Sequence, residues 1–491
     1  MDAGSTPATS TNFNYNMKSK LTVETGKIKL SNSIDWTEDQ YNAADKIIKW
    51  FNDGKDIMFT LGGFAGTGKT TLLREIVKHI RSTVAISAPT HIAVRIASTA
   101  VGIQGQTIHK LLGLRPNVTL ESFDYNNPQF DPKGNKAIKN YGLVIIDEAS
   151  MIPYGLHQLI KDEAKEYHVK ILYVGDPYQL PPVNEKVSIA FKNPNIFNLT
   201  KIVRQEESNP LIILLSKLRE DIKYNTRGYI SYLSKNNNSL LDEEGFLSTK
   251  DISHFCEIMT DDFNTHEFER NIDFAKYLSF TNESVLHYNK YIRNFIINNN
   301  DTLLCGDDLL VAYSTILDEF NVPTIINSEN YIINDISNYT NMDSIKGFLV
   351  SFKVIVDGTV TNPMFIIDHN DIDSISIFSQ IITKLINDAK NATNSAQRAS
   401  RWKDFYSFKN SNLLMTNLVT ATNKKFVDKD IDYGFGLTVH KSQGCTFDNV
   451  FVNLRDILYS NTGLPYSNIE LSNKLAYVAL SRARSKAIIL L

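Results

Sequence analysis

Cysteine is scarce in this chain. Three thiols, Cys256, Cys305 and Cys445, stand in 491 residues, far apart and with no CxxC pair. That spacing argues against a disulfide framework and against a zinc site, and fits a reducing compartment. An excess of positive charge is also missing: 51 Lys and Arg against 54 Asp and Glu give a formal net charge of −3. Bulk charge therefore announces no nucleic-acid partner, and any basic track must be local. No apolar run approaches the roughly 20 residues that span a bilayer. The opening stretch MDAGSTPATSTNFNYNMKSK has no apolar segment of the kind a secretory signal carries. It is rich in Ser, Thr and Asn, so residues 1–33 are expected to be a flexible leader, and Met17 offers a second start beside Met1.

What is present is an ordinary globular composition, 42% hydrophobic and 21% charged, at a length that suggests about three domains. From Trp36 onward, apolar strand-like runs alternate with helices. IMFTLGG (57–63), TVAISA (83–88), LVIID (143–147) and KILYVGD (170–176) are the strands, and TTLLREIVKHI (70–80) sets Leu72, Leu73, Ile76, Val77 and Ile80 at helical spacing. Such alternation predicts an α/β fold, a parallel sheet with helices on both faces and ligands beyond the C-terminal strand ends. The polar clusters Gly66–Thr70, Pro89–His91, Asp147–Ser150 and Asp176–Gln179 fall at those ends. A second set, YLSFT (277–281), FGLTVH (435–440), NVFVNL (449–454) and KAIILL (486–491), predicts another sheet that carries no P-loop of its own. Residues 113–140, with Pro116, Asn117, Asn126, Asn127, Pro128, Pro132 and Gly134, read as a hairpin insertion. Residues 325–430 read as a β-rich insertion.

The chemistry is carried first by Gly63-Phe64-Ala65-Gly66-Thr67-Gly68-Lys69-Thr70, which matches GxxxxGK[ST] between a strand and a helix. Glycines let backbone N–H groups curl round phosphate oxygens, and the helix N-terminus adds partial positive charge. Lys69 is placed to reach the β- and γ-phosphates, and the Thr70 hydroxyl to bind Mg²⁺. Asp147 and Glu148 close an apolar strand. An adjacent acid pair is commonly just a solvated turn, but here the buried run aims it at the phosphates. Asp147 then holds Mg²⁺ and Glu148 polarises the attacking water. A kinase would need a substrate hydroxyl there instead, so the pair leans towards hydrolysis. Thr90, His91, Thr107 and His109 before the first sheet's later strands, and His440, Lys441 and Ser442 after FGLTVH, are donors suited to a phosphate backbone. For any single histidine, a structural role is the commoner outcome.

In order, these segments resemble a superfamily 1 helicase of the RecD/Dda type, the 5′→3′ branch. Trp36-Thr37-Glu38-Asp39-Gln40 is similar to the Q-motif, which implies that Gln40 reads adenine. GGFAGTGKTT is similar to motif I, implying nucleotide contacts from Gly63, Gly66, Thr67, Gly68, Lys69, Thr70 and Thr71. Ala88-Pro89-Thr90-His91-Ile92-Ala93 and Gln106-Thr107-Ile108-His109 resemble strand-contacting motifs. Asp147-Glu148-Ala149-Ser150-Met151 resembles motif II. Gly175-Asp176-Pro177-Tyr178-Gln179-Leu180-Pro181-Pro182-Val183 resembles motif III, with Gln179 sensing the γ-phosphate. Leu199 to Gln205 resembles motif IV, and Ser279-Phe280-Thr281-Asn282 the start of the second lobe. Thr438-Val439-His440-Lys441-Ser442-Gln443-Gly444 resembles motif V, and Tyr477-Val478-Ala479-Leu480-Ser481-Arg482-Ala483-Arg484 motif VI.

The resemblance implies two RecA-like P-loop NTPase lobes, 34–112 with 141–205 and 206–324 with 431–491. It also implies a pin hairpin at 113–140 and an SH3-like insertion at 325–430. ATP with Mg²⁺ would sit in the cleft, with Arg204 and Arg482 as arginine fingers. Phe123, Tyr125 and Phe130 are all candidates for the pin residue. The family often opens its SH3-like barrel with Asn-Gly, whereas this chain reads Asn327-Ser328-Glu329-Asn330. The implied activity is an ATP-dependent DNA helicase, a monomer in a bacterial or phage-infected cytoplasm. It would act on single strands and on forked or tailed duplex, beside single-strand-binding or replication proteins and without a membrane. Two other readings remain: a translocase that displaces proteins without processive unwinding, and a P-loop phosphotransferase.

Overall fold

In the computed structural model, the described residues are 30–31, 34–53, 55–115, 120, 123–130, 134–203, 209–297, 302–317, 323–355, 357–419 and 425–491. Residues 1–29 of the expected leader and Arg204 with Gln205 lie outside them, while Leu30, counted in that leader, is instead buried in the first-lobe core.

The first apolar runs form β1 Met58–Gly63, β2 Val84–Ala88, β3 Gly105–Thr107, β4 Leu143–Ile146, β5 Lys170–Gly175 and β6 Ile196–Leu199. They make one parallel sheet in the order β3-β2-β4-β5-β1-β6. Every residue of β1 and β4 is buried, as continuous rather than alternating hydrophobicity requires when helices cover both faces. On one face, Ala43, Ala44, Ile47 and Trp50 of the helix Glu38–Asp53 join Leu72, Leu73 and Ile76 of the helix Lys69–His79. Each large apolar side chain buried this way contributes about 1.5–3 kcal/mol. The strand order matters for the site. Strands β4, β5 and β1 are neighbours, so the acid pair, the Asp176 loop and the P-loop leave the sheet side by side.

The second sheet contains the hairpin β7 Asn238–Leu241 and β8 Glu244–Thr249, then β9 Ala275–Ser279. The hairpin turns on Asp242 and Glu243 with φ of 50° and 66°, the positive pair that a two-residue turn matched to strand twist needs. Next come β10 Leu309–Ala312, a short pair β11 Ile316–Leu317 and β12 Pro323–Ile325, then β13 Asn330–Thr340, β14 Lys346–Val354 and β15 Met364–Ile367. A second short pair, β16 Leu418–Val419 and β17 Lys425–Val427, precedes β18 Ile431–Tyr433, β19 Gly436–Thr438, β20 Phe447–Asn453 and β21 Ala483–Leu490. The order β19-β9-β20-β21-β8-β7 is parallel except at the β7–β8 hairpin. Antiparallel strands β15-β14-β13-β10-β18 form a separate sheet between the two halves of this lobe. It shares a core with the lobe itself: Ile333 and Phe352 lie in the same buried cluster as Phe255 and Tyr277.

Two sequence expectations change here. The stretch 325–430 is not β-rich throughout, because helices Ile372–Lys390 and Ser395–Ser411 fill much of it. Ile375, Phe378 and Ile382 lie at helical spacing, and Phe378 stacks on Phe408 at 5.4 Å. The abundance of Asn, Asp, Ser and β-branched residues hides that period. The sheet also draws β10 and β18 from outside that range. Within 113–140, the described residues close a loose hairpin by one antiparallel bridge, Leu114 to Phe130. Of the three pin candidates, Phe123 is buried in the first-lobe core, Phe130 packs under the Lys136 ammonium, and Tyr125 is exposed, its hydroxyl donating to Asp162 at 2.7 Å. Burial removes Phe123 from consideration as a wedge.

At Asn327-Ser328, Ser328 holds φ at 69°. A left-handed turn is thus kept where the family's Asn-Gly would place a glycine, at a steric cost of about 1–2 kcal/mol for a side chain there. The next residue, Glu329, takes two hydrogen bonds from Arg95 Nη1, at 2.7 and 2.6 Å. This pair ties the helix His91–Val101 of the first lobe to the inserted sheet.

Candidate nucleotide site and nucleic-acid face

The loop after β1 is shaped by left-handed glycines. Gly66 and Gly68 have φ of 82° and 76°, and a Cβ on Gly68 would stand 2.6 Å from Gln40 Nε2. The helix Lys69–His79 begins on Gly68 with no side chain capping it, so its first N–H groups face the loop as an anion cradle. Thr67 is buried and its hydroxyl donates to the Phe64 carbonyl at 2.9 Å, which fixes the loop's curl. The Lys69 ammonium lies inside that curl, donating to the Gly63 and Phe64 carbonyls at 2.7 and 3.0 Å. Thr70 and Thr71, half-buried, stand on the helix's first turn. These features fit a nucleoside triphosphate.

Gln40 braces the P-loop. Its Oε1 accepts from the Thr37 N–H at 2.9 Å and its Nε2 donates to the Thr67 carbonyl at 3.1 Å, with the side chain buried. In this arrangement the amide props the P-loop from behind. One Nε2 hydrogen and one Oε1 lone pair remain beyond these two bonds.

Across the loop, Asp147 and Glu148 emerge from β4. Glu148 has φ of 53° and ψ of 42°, left-handed values that a non-glycine residue keeps only under constraint. Burial pushes its carboxyl up to about 7, helped by the Asp147 charge and opposed by Arg482 and Lys69. Asp147 is likewise raised by burial, against the Glu148 N–H bond and the Lys69 charge. Glu148 Oε2 and Gln179 Oε1 are buried acceptors that take no hydrogen bond among the described residues. A buried carboxylate held near neutrality and a free amide oxygen are what a nucleophilic water needs around it. No cluster of three or more His, Cys, Asp or Glu suited to a metal occurs among the described residues. Asp147 and Thr70 would hold Mg²⁺ jointly with phosphate oxygens, the usual arrangement for this ion. Glu148→Gln is expected to retain ATP binding and lower turnover by about 10²-fold or more in a steady-state ATPase assay. Turnover within about threefold of the parent would remove Glu148 from that role.

The second lobe contributes Arg482, which is buried. Its guanidinium donates to the Val478 carbonyl at 3.1 Å, the Cys445 carbonyl at 3.0 Å and the Ser481 hydroxyl at 3.0 Å. Gly444, next to Cys445, stands against Glu148, where a Cβ would lie 3.7 Å from Oε1, so the structure brings this part of the second lobe to the acid pair. The segment leading to Arg204 passes the P-loop, with the Val203 N–H donating to the Gly66 carbonyl at 2.9 Å. Arg204 itself lies outside the described residues.

The strand-contact candidates divide. Thr90 and Thr107 are N-caps: their hydroxyls accept from the N–H groups of Ala93 and Lys110. Pro89 precedes the first of these caps and His91 is exposed on the turn it starts. Glu329, His109 and Arg95 are the charged or titratable groups that act on His91, which sets His91 and His109 beside the inserted sheet. In the second lobe, His440 is exposed, its ring 6.0 Å from Phe280, which in turn meets Tyr466 at 5.6 Å. The backbone of Phe280 and Thr281 is pinned by Asp456 Oδ2 at 2.7 Å each. Phe280 and Tyr466 form a half-buried aromatic platform of the kind bases stack on, and the motif reading did not single them out. Lys441 reaches over the Tyr313 ring at 3.2 Å. Ser442 is a correction: it is fully buried and its hydroxyl donates to the Val439 carbonyl at 2.9 Å, so it shapes the turn and presents nothing to a strand.

Comparison with known proteins adds four findings. A family model described as an AAA domain matches residues 36–235. An uncharacterized protein of Acanthamoeba polyphaga mimivirus is 24% identical, covering 91% of this chain and 98% of its own length. The ATP-dependent DNA helicase dda of Enterobacteria phage T4 is also 24% identical, covering 92% of this chain and 98% of its own. In fold, the chain is similar to the crystal structure of Pif1 helicase from Candida albicans, with a TM-score of 0.50 at 18% identity, covering 93% of this chain and 95% of that one. No helix among the described residues is long and apolar enough to cross a membrane.

Proposed function

We propose that this chain, a superfamily 1 helicase of the RecD/Dda type, is an ATP-dependent DNA helicase that steps 5′→3′ along a single strand and opens the duplex ahead. The observation that carries the reading is the composition of the cleft. Lys69, Glu148 and Gln179 belong to the first lobe and Arg482 to the second, yet Gly444, next to the Cys445 whose carbonyl holds Arg482, stands against Glu148, where a Cβ would lie 3.7 Å from Oε1. A hydrolytic centre completed by a second lobe links phosphate chemistry to lobe closure, and closure is what moves a strand.

In this proposal ATP sits on Gly63, Gly66, Thr67, Gly68, Lys69, Thr70 and Thr71, with Mg²⁺ on Thr70 and Asp147. Arg204 and Arg482 neutralise the departing phosphate. The strand runs past Pro89, Thr90, His91, Thr107 and His109 on one lobe and past His440 and Lys441 on the other, with bases on Phe280 and Tyr466. Residues 113–140 serve as the strand-separating hairpin, Tyr125 being its exposed aromatic. The partners are single-stranded and forked or tailed DNA, in the cytoplasm.

Paired duplexes bearing either a 5′ or a 3′ single-stranded tail, incubated with ATP and Mg²⁺, test the reading. Separation of the 5′-tailed duplex is expected. Opening of the 3′-tailed duplex alone would overturn the polarity. Strand-stimulated ATPase with neither duplex opened would favour a translocase that clears proteins.

A further inference from the structure

Two contacts bridge the lobes next to the P-loop and are accounted for by none of the roles above. The first is a buried hydrogen bond. The Tyr477 hydroxyl donates to Asp176 Oδ2 at 2.8 Å, and the other carboxylate oxygen takes the Tyr178 N–H at 2.9 Å. Asp176 thus divides its two oxygens between its own lobe and the opposite one, with both side chains essentially inaccessible. The second is a stack: the Arg219 guanidinium, on the helix Pro210–Tyr224, lies over the Phe64 ring at 4.3 Å. Phe64 is a residue of the P-loop, and its carbonyl holds Lys69 and Thr67. The two contacts are joined, since Arg219 also lies beside the Tyr477 hydroxyl and Tyr178 lies between Phe64 and Tyr477, its ring 5.5 and 6.4 Å from theirs.

The neighbours of these residues give the contacts meaning. Gln179 is three residues beyond Asp176, and its N–H bonds the Asp176 carbonyl at 3.2 Å. Arg482 follows Tyr477 by five residues and is anchored on Val478 in the same helix end. Whatever fixes Tyr477 against Asp176 therefore fixes Arg482 against Gln179.

We infer that Tyr477, Asp176, Arg219 and Phe64 form a latch of positioning residues that sets the second lobe's arginine in register with the first lobe's glutamine and P-loop. The latch rests on the motor reading and deepens it. Its substrate is the lobe closure that couples strand binding to hydrolysis. Arg219 senses the loop that wraps the phosphates, and Tyr477 passes that state to the helix carrying Arg482. Small displacements suffice, because reacting groups misplaced by an ångström lose about 10²-fold in rate.

Tyr477→Phe keeps the ring and its packing and removes only the hydroxyl, and with it the bond to Asp176 and the contact with Arg219. Arg219→Gln keeps a half-exposed polar side chain and removes the stacked cation. ATPase is measured against ATP concentration with and without oligo-dT, alongside thermal unfolding and binding of fluorescent oligo-dT. For each variant, kcat with oligo-dT is expected to fall by about 10-fold while KM for ATP and oligo-dT affinity shift less than about twofold. The double variant should be no worse than the stronger single one, since both act through one element. A lowered unfolding temperature with the oligo-dT stimulation ratio unchanged would overturn the latch and leave a packing contact. So would a KM increase at constant kcat. Absence of any stimulation in the parent protein would instead strike the motor reading itself.

Discussion

Lys69→Ala is expected to abolish ATP turnover, by at least about 10³-fold, and to leave single-strand binding measurable. The side chain's position gives the reason. Its ammonium lies within the P-loop on the Gly63 and Phe64 carbonyls, at the mouth of a helix whose first N–H groups have no side-chain cap. A triphosphate entering that cradle exchanges two neutral carbonyl partners for anionic oxygens, and a hydrogen bond to a charged acceptor is roughly twice as strong. Alanine removes this charge and also one of the two cations that oppose protonation of Glu148. The loop itself should survive, because Thr67 still donates to Phe64 and Gln40 still braces Thr67. The proposed strand face is built from other residues, around His91, His109, Phe280 and His440. Fluorescence anisotropy with labelled oligo-dT and a coupled ATPase assay separate the two effects. ATP-driven duplex opening by the variant would defeat the scheme.

That prediction draws on the part of the molecule the sequence displays openly. Phosphate binding by a loop is local chemistry, so GGFAGTGKTT and the strand before it reveal both fold and role within a dozen residues. The acid pair is equally plain, because four apolar residues drive it to the end of a buried strand. Long-range pairing is where legibility ends. Tyr477 and Asp176 are 301 residues apart and Arg95 and Glu329 are 234 apart, and neither pair has a spacing to notice. The Phe280–Tyr466 platform is hidden for the same reason. Ser442 misleads in the opposite direction: a polar residue in a strand-contact motif turns inward because a tight turn needs its hydroxyl for the Val439 carbonyl. Gln40 has a task the motif does not display: its amide braces the backbone at Thr37 and Thr67. The helices at 372–411 were obscured by composition, since Ser, Asn and Asp suit caps and turns and weaken a helical period on the page. Asp371 and Asn394 do cap those helices.

Arg482→Ala should lower turnover by about 10³-fold or more while ATP affinity changes little. A guanidinium has five N–H donors. One bond each from Nε, Nη1 and Nη2 fixes the group on its own lobe, to Val478, Cys445 and Ser481. Two donors remain, on a charge that already reaches Glu148. The group is thus held in place before ATP arrives, and its free donors cost no reorganisation when charge develops on the departing phosphate. Ground-state affinity is set by the P-loop, which the substitution leaves intact, so the loss should appear in kcat rather than in KM. Arg482→Lys should rescue little, because a single ammonium has three donors and no planar fork to span two carbonyls and a hydroxyl. The same anchoring makes a folding control necessary, since alanine leaves the Val478 and Cys445 carbonyls without that partner in a buried setting, a cost of about 1–3 kcal/mol. Thermal unfolding measured beside ATPase kinetics resolves the two. A large rise in KM with kcat preserved would assign Arg482 to ATP binding instead of to the transition state.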